Sequence, residues 1–194
     1  MAQAAIPVTG VILSGAAVLV AVAQLVVALD DGDDTLKSKD HWMQCSVRNE
    51  TQFDIIYNNE YFDSGTYYRA PPIKIPKFST GQFSVCNKWG LAGVSGGNAW
   101  KVILDNNHSF PFALGFTDPF IGARKSAAIE HGSAKDGYNA ASERGANGVS
   151  DVYTGKDDDG NTTYFLLALS AVTGHHSMFT VHQTEIKGDW TKYK

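Results

Sequence analysis

No charged side chain occurs in the first 29 residues, and the run ends abruptly on Asp30, Asp31, Gly32, Asp33 and Asp34. The polar residues before that stop are Gln3, Thr9, Ser14 and Gln24. Val8 to Leu29 is 22 residues, and as an α-helix it would measure about 33 Å at about 1.5 Å per residue. The hydrocarbon core of a bilayer is about 30 Å thick, so such a helix is long enough to span it. Gly10, Ser14, Ala17, Ala21, Gln24 and Ala28 recur at spacings of four and three, a stripe of small or weakly polar residues on one helix face. Small residues in line let helices approach closely, and the same stripe can face a water-filled lumen. Three readings compete. A secretory signal peptide needs a basic n-region and a shorter apolar core, although Ala21-Val22-Ala23 offers a cleavage tripeptide. A permanent single-span anchor fits on length. A helix stored on a soluble domain and inserted on demand fits equally well.

After Trp42 the pattern changes. Gln44–Asn49, Phe53–Phe62, Gly81–Asn87 and Ala99–Asp105 are short runs rich in β-branched and aromatic residues, several alternating with period two. Asn106-Asn107-His108 reads as a hairpin turn into Phe110–Thr117, and Asp157–Asn161 as a turn before Tyr164–Val172 and Ser177–Gln183. Short strands at this spacing, punctuated by glycine, predict a mainly β protein, a β-sandwich. Ser133 to Arg144 is the second, short helix, with Ser133 as N-cap and Gly145 at its stop. The expected organisation is an apolar helix over 1–29, an acidic hinge over 30–41, a sandwich over 42–186 and a tail over 187–194.

Composition narrows the function. Sixteen basic against twenty acidic residues, with a net charge of -4, argue against nucleic acid as a partner. Two cysteines make neither a four-ligand zinc site nor a disulfide scaffold; Cys45 and Cys86 could pair once or stay as two buried thiols, and free thiols are the favoured reading. His175, His176 and His182 are neighbours without a carboxylate placed to complete a metal site. No Gly-x-Ser-x-Gly, Walker loop or His-Glu-x-x-His occurs. Gly90 to Gly97 is glycine-rich but precedes a strand, so it is no phosphate cradle. Neither an enzyme nor a cofactor is expected. Sequons at Asn49, Asn107 and Asn161 are close to chance.

Several short motifs occur in a telling order. Asn49-Glu50 is followed by Tyr61-Phe62-Asp63-Ser64-Gly65-Thr66, then Val94–Ala99, Phe116-Thr117-Asp118-Pro119-Phe120, Tyr138, and Arg144-Gly145-Ala146-Asn147-Gly148. With the apolar N-terminal segment, the set resembles the actinoporins and their relatives, a family of pore-forming cytolysins. The resemblance implies a sandwich that docks on lipid headgroups, notably sphingomyelin phosphocholine. It also implies an N-terminal helix that detaches, inserts and oligomerises into a cation-conducting pore, a soluble or secreted form converting to a pore in a target membrane. Ser64, Ala99, Thr117, Pro119 and Tyr138 stand where that family binds headgroups, and Arg144-Gly145 in its loop motif. Asp30, Asp31, Asp33 and Asp34, repeated around an oligomer, would make one pore mouth negative and favour cations.

The departures are as informative. The family's aromatic choline cage is replaced by Ile121 to Ala128, which has no aromatic and carries Arg124 and Lys125. Those cations point to anionic headgroups. The family's arginine before Ser-Gly-Thr is Asp63, and the second tyrosine of its pair is Asn139. Two rivals stand beside the pore-forming reading: a lectin-like glycan-binding sandwich, and a membrane-anchored, non-lytic lipid binder.

Overall fold

Met43, Cys45 and Val47 alternate inward along one strand, and Phe110, Phe112, Leu114 and Phe116 along another that faces it; all are fully or nearly fully buried. This pairing of apolar faces makes the molecule two-layered. The computed structural model describes residues 4–25, 34–90, 92–143 and 146–188. In chain order the first elements are β1 (Ile6–Val11), α1 (Gly15–Ala23), α2 (Asp34–Lys37), β2 (Trp42–Glu50), β3 (Asp54–Ser64), β4 (Thr66–Arg69), β5 (Lys74–Ile75) and β6 (Ser79–Cys86). There follow β7 (Val94–Ile103), β8 (Ser109–Asp118), β9 (Lys125–Glu130), α3 (Ala134–Glu143), β10 (Gly148–Val149), β11 (Tyr153–Lys156), β12 (Thr162–Val172) and β13 (His176–Ile186).

One sheet runs β1-β11-β12-β13-β2-β6-β4, with β10 also paired to β12; the other runs β5-β3-β7-β8-β9. The expected β-sandwich is therefore the fold. Most neighbours are antiparallel, but β13 lies parallel to β2 and β1 parallel to β11. Cys45 and Cys86 are unpaired and buried, as expected. Asn49 is also wholly buried: its Nδ2 donates to the Phe53 and Pro76 carbonyls at 2.7 and 2.9 Å, and its Oδ1 accepts from Thr51 Oγ1 at 2.8 Å. That sequon is a structural turn, closed to glycosylation in the folded chain.

The N-terminal segment departs from expectation. It is a strand followed by a nine-residue helix, rather than one helix from Val8. Pro7-Val8-Thr9 is β-branched and poor in helix formers, and a proline without an N–H is tolerated on an edge strand. Ile6 N donates to Val152 O at 2.9 Å and Ile12 N to Lys156 O at 2.7 Å, stitching the segment to β11. Gly10 sits at φ +100, a left-handed turn that interrupts the pairing register, so it does not continue the helical stripe. Ser14 is the N-cap of α1, accepting from Ala17 N at 3.3 Å, and Gln24 is its C-cap. Ala17 and Ala21 are in α1; Ala28, Asp30, Asp31 and Asp33 lie outside the described residues. Asp34 opens α2, whose Leu36 is buried, so this part of the expected hinge packs on the body. Among the described residues no helix is long and apolar enough to cross a membrane.

Ser133 caps α3 as expected. Its Oγ accepts from Asp136 N at 3.2 Å while Asp136 Oδ2 accepts from Ser133 N at 2.9 Å, the reciprocal arrangement of a capping box. Arg144 and Gly145, the expected stop, lie outside the described residues.

Candidate functional site

Helix α3 is seated flush on the outer face of the five-stranded sheet because three glycines remove the side chains that would hold it away. A Cβ on Gly97 would lie 2.8 Å from Tyr138 N, one on Gly137 would lie 2.6 Å from Leu114 O, and one on Gly115 would overlap the Gly137 carbonyl. This close approach hangs Tyr138 and Ser142 over the end of the sandwich where β3 and β8 finish and β7 and β9 begin.

Between them and the strand ends lies an open cavity of about 500 Å³. Asp63, Ser64, Ser95, Thr117, Tyr138 and Ser142 supply its polar wall, Lys125 its cation, and Pro119 to Ala123 its loop side. Ser64 Oγ and Ser95 Oγ stand 3.0 Å apart. Burial first, and then the Asp63 charge, push the Tyr138 hydroxyl above its ordinary value, against an opposing hydrogen bond with Ser142. The Tyr138 ring meets Tyr61 at 5.4 Å, and Lys135 Nζ lies 5.6 Å over the Tyr61 ring.

Of the residues singled out in the sequence, Ser64, Thr117, Pro119, Tyr138 and Lys125 thus meet in one cavity. Ala99 does not. It is buried mid-strand opposite Ala113, four residues beyond Ser95, which takes the place on β7 at the cavity. Arg124 does not line the cavity either: its guanidinium pairs with Asp118 at 3.1 and 3.2 Å. Asp118 also accepts from Trp42 N at 3.2 Å, tying the base of the loop to β2. Lys125 Nζ donates to the Ser142 and Glu143 carbonyls at 2.9 and 3.1 Å, a cation closing the C-terminal end of α3. Of the two cations expected to read an anionic headgroup, Arg124 is therefore committed to an ion pair and Lys125 has two of its three N–H donors engaged. Asp63, Ser95 and Ser142 were not foreseen; for Asp63 the available signal was a carboxylate replacing an arginine.

The rim of this end carries exposed apolar side chains that sequence reasoning missed. Trp89 is 81% exposed, Ile121 83% and Phe120 53%. Gly93 abuts the start of the 119–124 loop, since a Cβ on it would lie 2.6 Å from Asp118 O and 2.9 Å from Phe120 N. The Asn87 side chain ties its own loop by donating to Gly90 O at 2.5 Å. Phe120 meets the His41 ring edge-on at 6.1 Å, whereas Trp89 and Ile121 are more than four-fifths exposed; large apolar residues on turns rather than on an inward strand face mark a contact surface.

The second notable region is the N-terminal arm, residues 4–25. Val8, Ile12 and Val18 are buried, but Leu19 and Val20 face solvent and a gap of about 300 Å³ remains between α1 and β13. Three polar side chains latch the arm through five hydrogen bonds. Thr9 N and Oγ1 donate to Asp105 Oδ2 at 2.8 and 3.0 Å. Gln52 accepts from Leu13 N at 2.7 Å and donates to Val11 O at 2.8 Å. Gly15 N donates to Glu185 Oε2 at 2.8 Å.

Burial alone would raise the Asp105 pKa, yet the hydrogen bonds from Thr9, His108 and Asn107 outweigh it and hold the carboxyl well below its ordinary 3.8. A depressed carboxylate contributes stability that is complete above its unfolded value and is lost only as pH falls through the folded one. Proteolytic cleavage in residues 4–25 is accordingly expected to be flat between about pH 5 and pH 8 and to accelerate only below about pH 4. Acceleration between pH 6 and pH 5 would show that another group controls the arm.

Comparison with protein-family models and with curated proteins finds no match. Among solved structures the chain is similar to one described as the crystal structure of the lipid binding protein Nakanori. The TM-score is 0.52 at 12% identity, over 78% of this chain and 74% of that one. At that identity the likeness establishes a shared fold.

Proposed function

We propose that the chain binds lipid membranes through the end of the sandwich that carries Trp89, Phe120 and Ile121, with the polar cavity reading a headgroup, and that the N-terminal arm then inserts as part of an oligomeric cation-conducting pore. The observation that carries the first half is the apolar rim around a polar cavity. Side chains on the rim can enter the interface while the cavity takes the headgroup, the division of labour that amphipathic aromatics serve at membrane surfaces. A lipid-binding protein with the same fold supports that choice over a glycan.

The second half rests on the arm and on the actinoporin resemblance. The arm is uncharged, apolar, attached at a sheet edge and held by a few hydrogen bonds. Leaving the body uncovers Val8 and Ile12 and breaks the pairing with β11. Burying an uncharged apolar segment in hydrocarbon offsets that loss. Re-formed as one helix over Val8–Leu29, the segment would cross the bilayer, and the aspartates at 30, 31, 33 and 34 would ring one mouth.

Dye release from neutral, sphingomyelin-containing and anionic liposomes tests the whole reading. Release supports pore formation; binding without release leaves a non-lytic lipid binder; the absence of both binding and release turns the search to glycans. Docking has its own test. Replacing Trp89 and Ile121 together by serine is expected to weaken vesicle binding at least about a hundredfold, since burying each is worth about 1.5–3 kcal/mol. Both side chains are exposed, so thermal stability stays unchanged. Ile73→Ser, equally exposed beside the β5 edge, serves as control and should leave binding as it is.

A further inference from the structure

We propose that the cavity selects a phospholipid headgroup ending in a primary ammonium, of the ethanolamine type, over the quaternary ammonium of choline; the proposal rests on the membrane reading above and names the ligand of the same site. The two headgroups differ only in what surrounds the nitrogen. A quaternary ammonium has no N–H and is held by aromatic faces. A primary ammonium has three N–H donors and no use for such a cage; it needs oxygen acceptors in a small volume.

The cavity offers the second environment. Among the described residues its aromatic lining is limited to Phe120 and Tyr138, whereas its oxygens are many: the Asp63 carboxylate and the hydroxyls of Ser64, Ser95 and Thr117. Asp63 is exposed at the mouth; its carboxylate accepts a hydrogen bond from the Tyr138 hydroxyl and keeps further lone pairs open, and among the described residues no ion pair occupies it. Lys125, the one cation among the described residues of the lining, has spent two of its three donors on the Ser142 and Glu143 carbonyls. An ammonium therefore meets a carboxylate that has a hydroxyl partner but no counter-cation among the described residues, and a hydrogen bond between ammonium and carboxylate is of the stronger, charge-assisted kind. The third N–H of Lys125 is left for the phosphate. A serine headgroup carries the same ammonium but adds a carboxylate, which Asp63 repels. An anionic headgroup without an amine gains nothing from Asp63.

The test has two arms, so that failure of the site and failure of the membrane reading can be told apart. In the first, the full chain is titrated with free phosphoethanolamine and free phosphocholine, followed by amide shifts in NMR spectra. In the second, sedimentation measures binding to phosphatidylcholine vesicles alone or containing phosphatidylethanolamine, phosphatidylserine or phosphatidylglycerol. We expect phosphoethanolamine to shift amides of residues 63–64, 95 and 117, and phosphatidylethanolamine vesicles to bind about tenfold tighter than phosphatidylcholine. Asp63→Asn, at an exposed position, should melt as the wild type does and bring the two vesicle affinities within about twofold, the rim still anchoring both. Equal binding of the two headgroups by the wild type, or a preference that survives Asp63→Asn, overturns the proposal. Phosphoethanolamine binding without vesicle binding would sustain the site and overturn the membrane reading. Absence of binding in both arms overturns both.

Discussion

A disulfide between positions 15 and 185 should stop dye release altogether while leaving vesicle binding untouched. The geometry invites it. A Cβ on Gly15 would lie 3.2 Å from Glu185 Cβ, close to the roughly 3.5–4.5 Å separation that a disulfide spans. Gly15 occupies the first turn of α1 in ordinary helical backbone, so a side chain there is not strained. The native thiols are buried in the sandwich and do not compete for pairing. The oxidised Gly15→Cys, Glu185→Cys protein would therefore carry its arm covalently fixed to β13, with the rim and cavity at the opposite end unaltered. Release at the level of protein-free vesicles, restored by a reductant, is the expected result. Reduction should even overshoot. The double variant lacks the hydrogen bond from Gly15 N to the Glu185 carboxylate, and a bond to a charged group contributes about 1.5–3 kcal/mol. An oxidised protein that releases dye as fast as the reduced one would show that the arm does not move.

Cross-linking is a sharper probe than deletion here. Val8 and Ile12 belong to the same buried cluster as Tyr153 and Phe165. Removing the arm strips an edge strand and exposes core, so a truncated chain that fails to lyse vesicles would report on folding as much as on insertion. The tether changes only freedom of movement.

Much of the fold could be read from local pattern. Runs of β-branched and aromatic residues located β2 and β3, period-two alternation located β6 and part of β7, turn signals placed β8, β12 and β13, and a serine N-cap marked the start of α3. The N-terminal strand could not be read this way. Its partner β11 lies near the other end of the chain, and an uncharged apolar run carries the same hydropathy whether it pairs at a sheet edge or coils into a helix. Ser14 held the clue: a serine before a run of alanines and valines is an N-cap, and it was read as one member of a stripe. Five cavity residues were legible through their motifs. The partners of Arg124 and Lys125 were not, because Asp118 and the last carbonyls of α3 reach them only through the tertiary fold. Trp89 and Ile121 escaped for a related reason, since composition does not distinguish an apolar residue that faces water from one that faces the core.

The glycine seat of α3 gives the last and most severe expectation. Adding one methyl group at Gly115 sets it on the Gly137 carbonyl and within 2.9 Å of Ala141 Cβ. Neither neighbour is a flexible side chain that can swing aside, so the helix must lift from the sheet. Overpacking of this kind costs about 3 kcal/mol or more when backbone has to move. For a chain of this size that is a fall of about 6–12 °C in Tm. Gly174→Ala is the matched control. Its nearest neighbours lie 3.5–3.9 Å from the new methyl at an ordinary backbone angle, and its melting point should stay within about 2 °C of wild type. The function follows the helix. Tyr138 and Ser142 reach the cavity only while α3 lies flush, so Gly115→Ala protein that remains folded at low temperature should lose headgroup discrimination yet keep the non-selective anchoring of Trp89 and Ile121. A variant that melts with the wild type and still discriminates would mean that the seat is slack, and that the cavity is positioned by the strand ends alone.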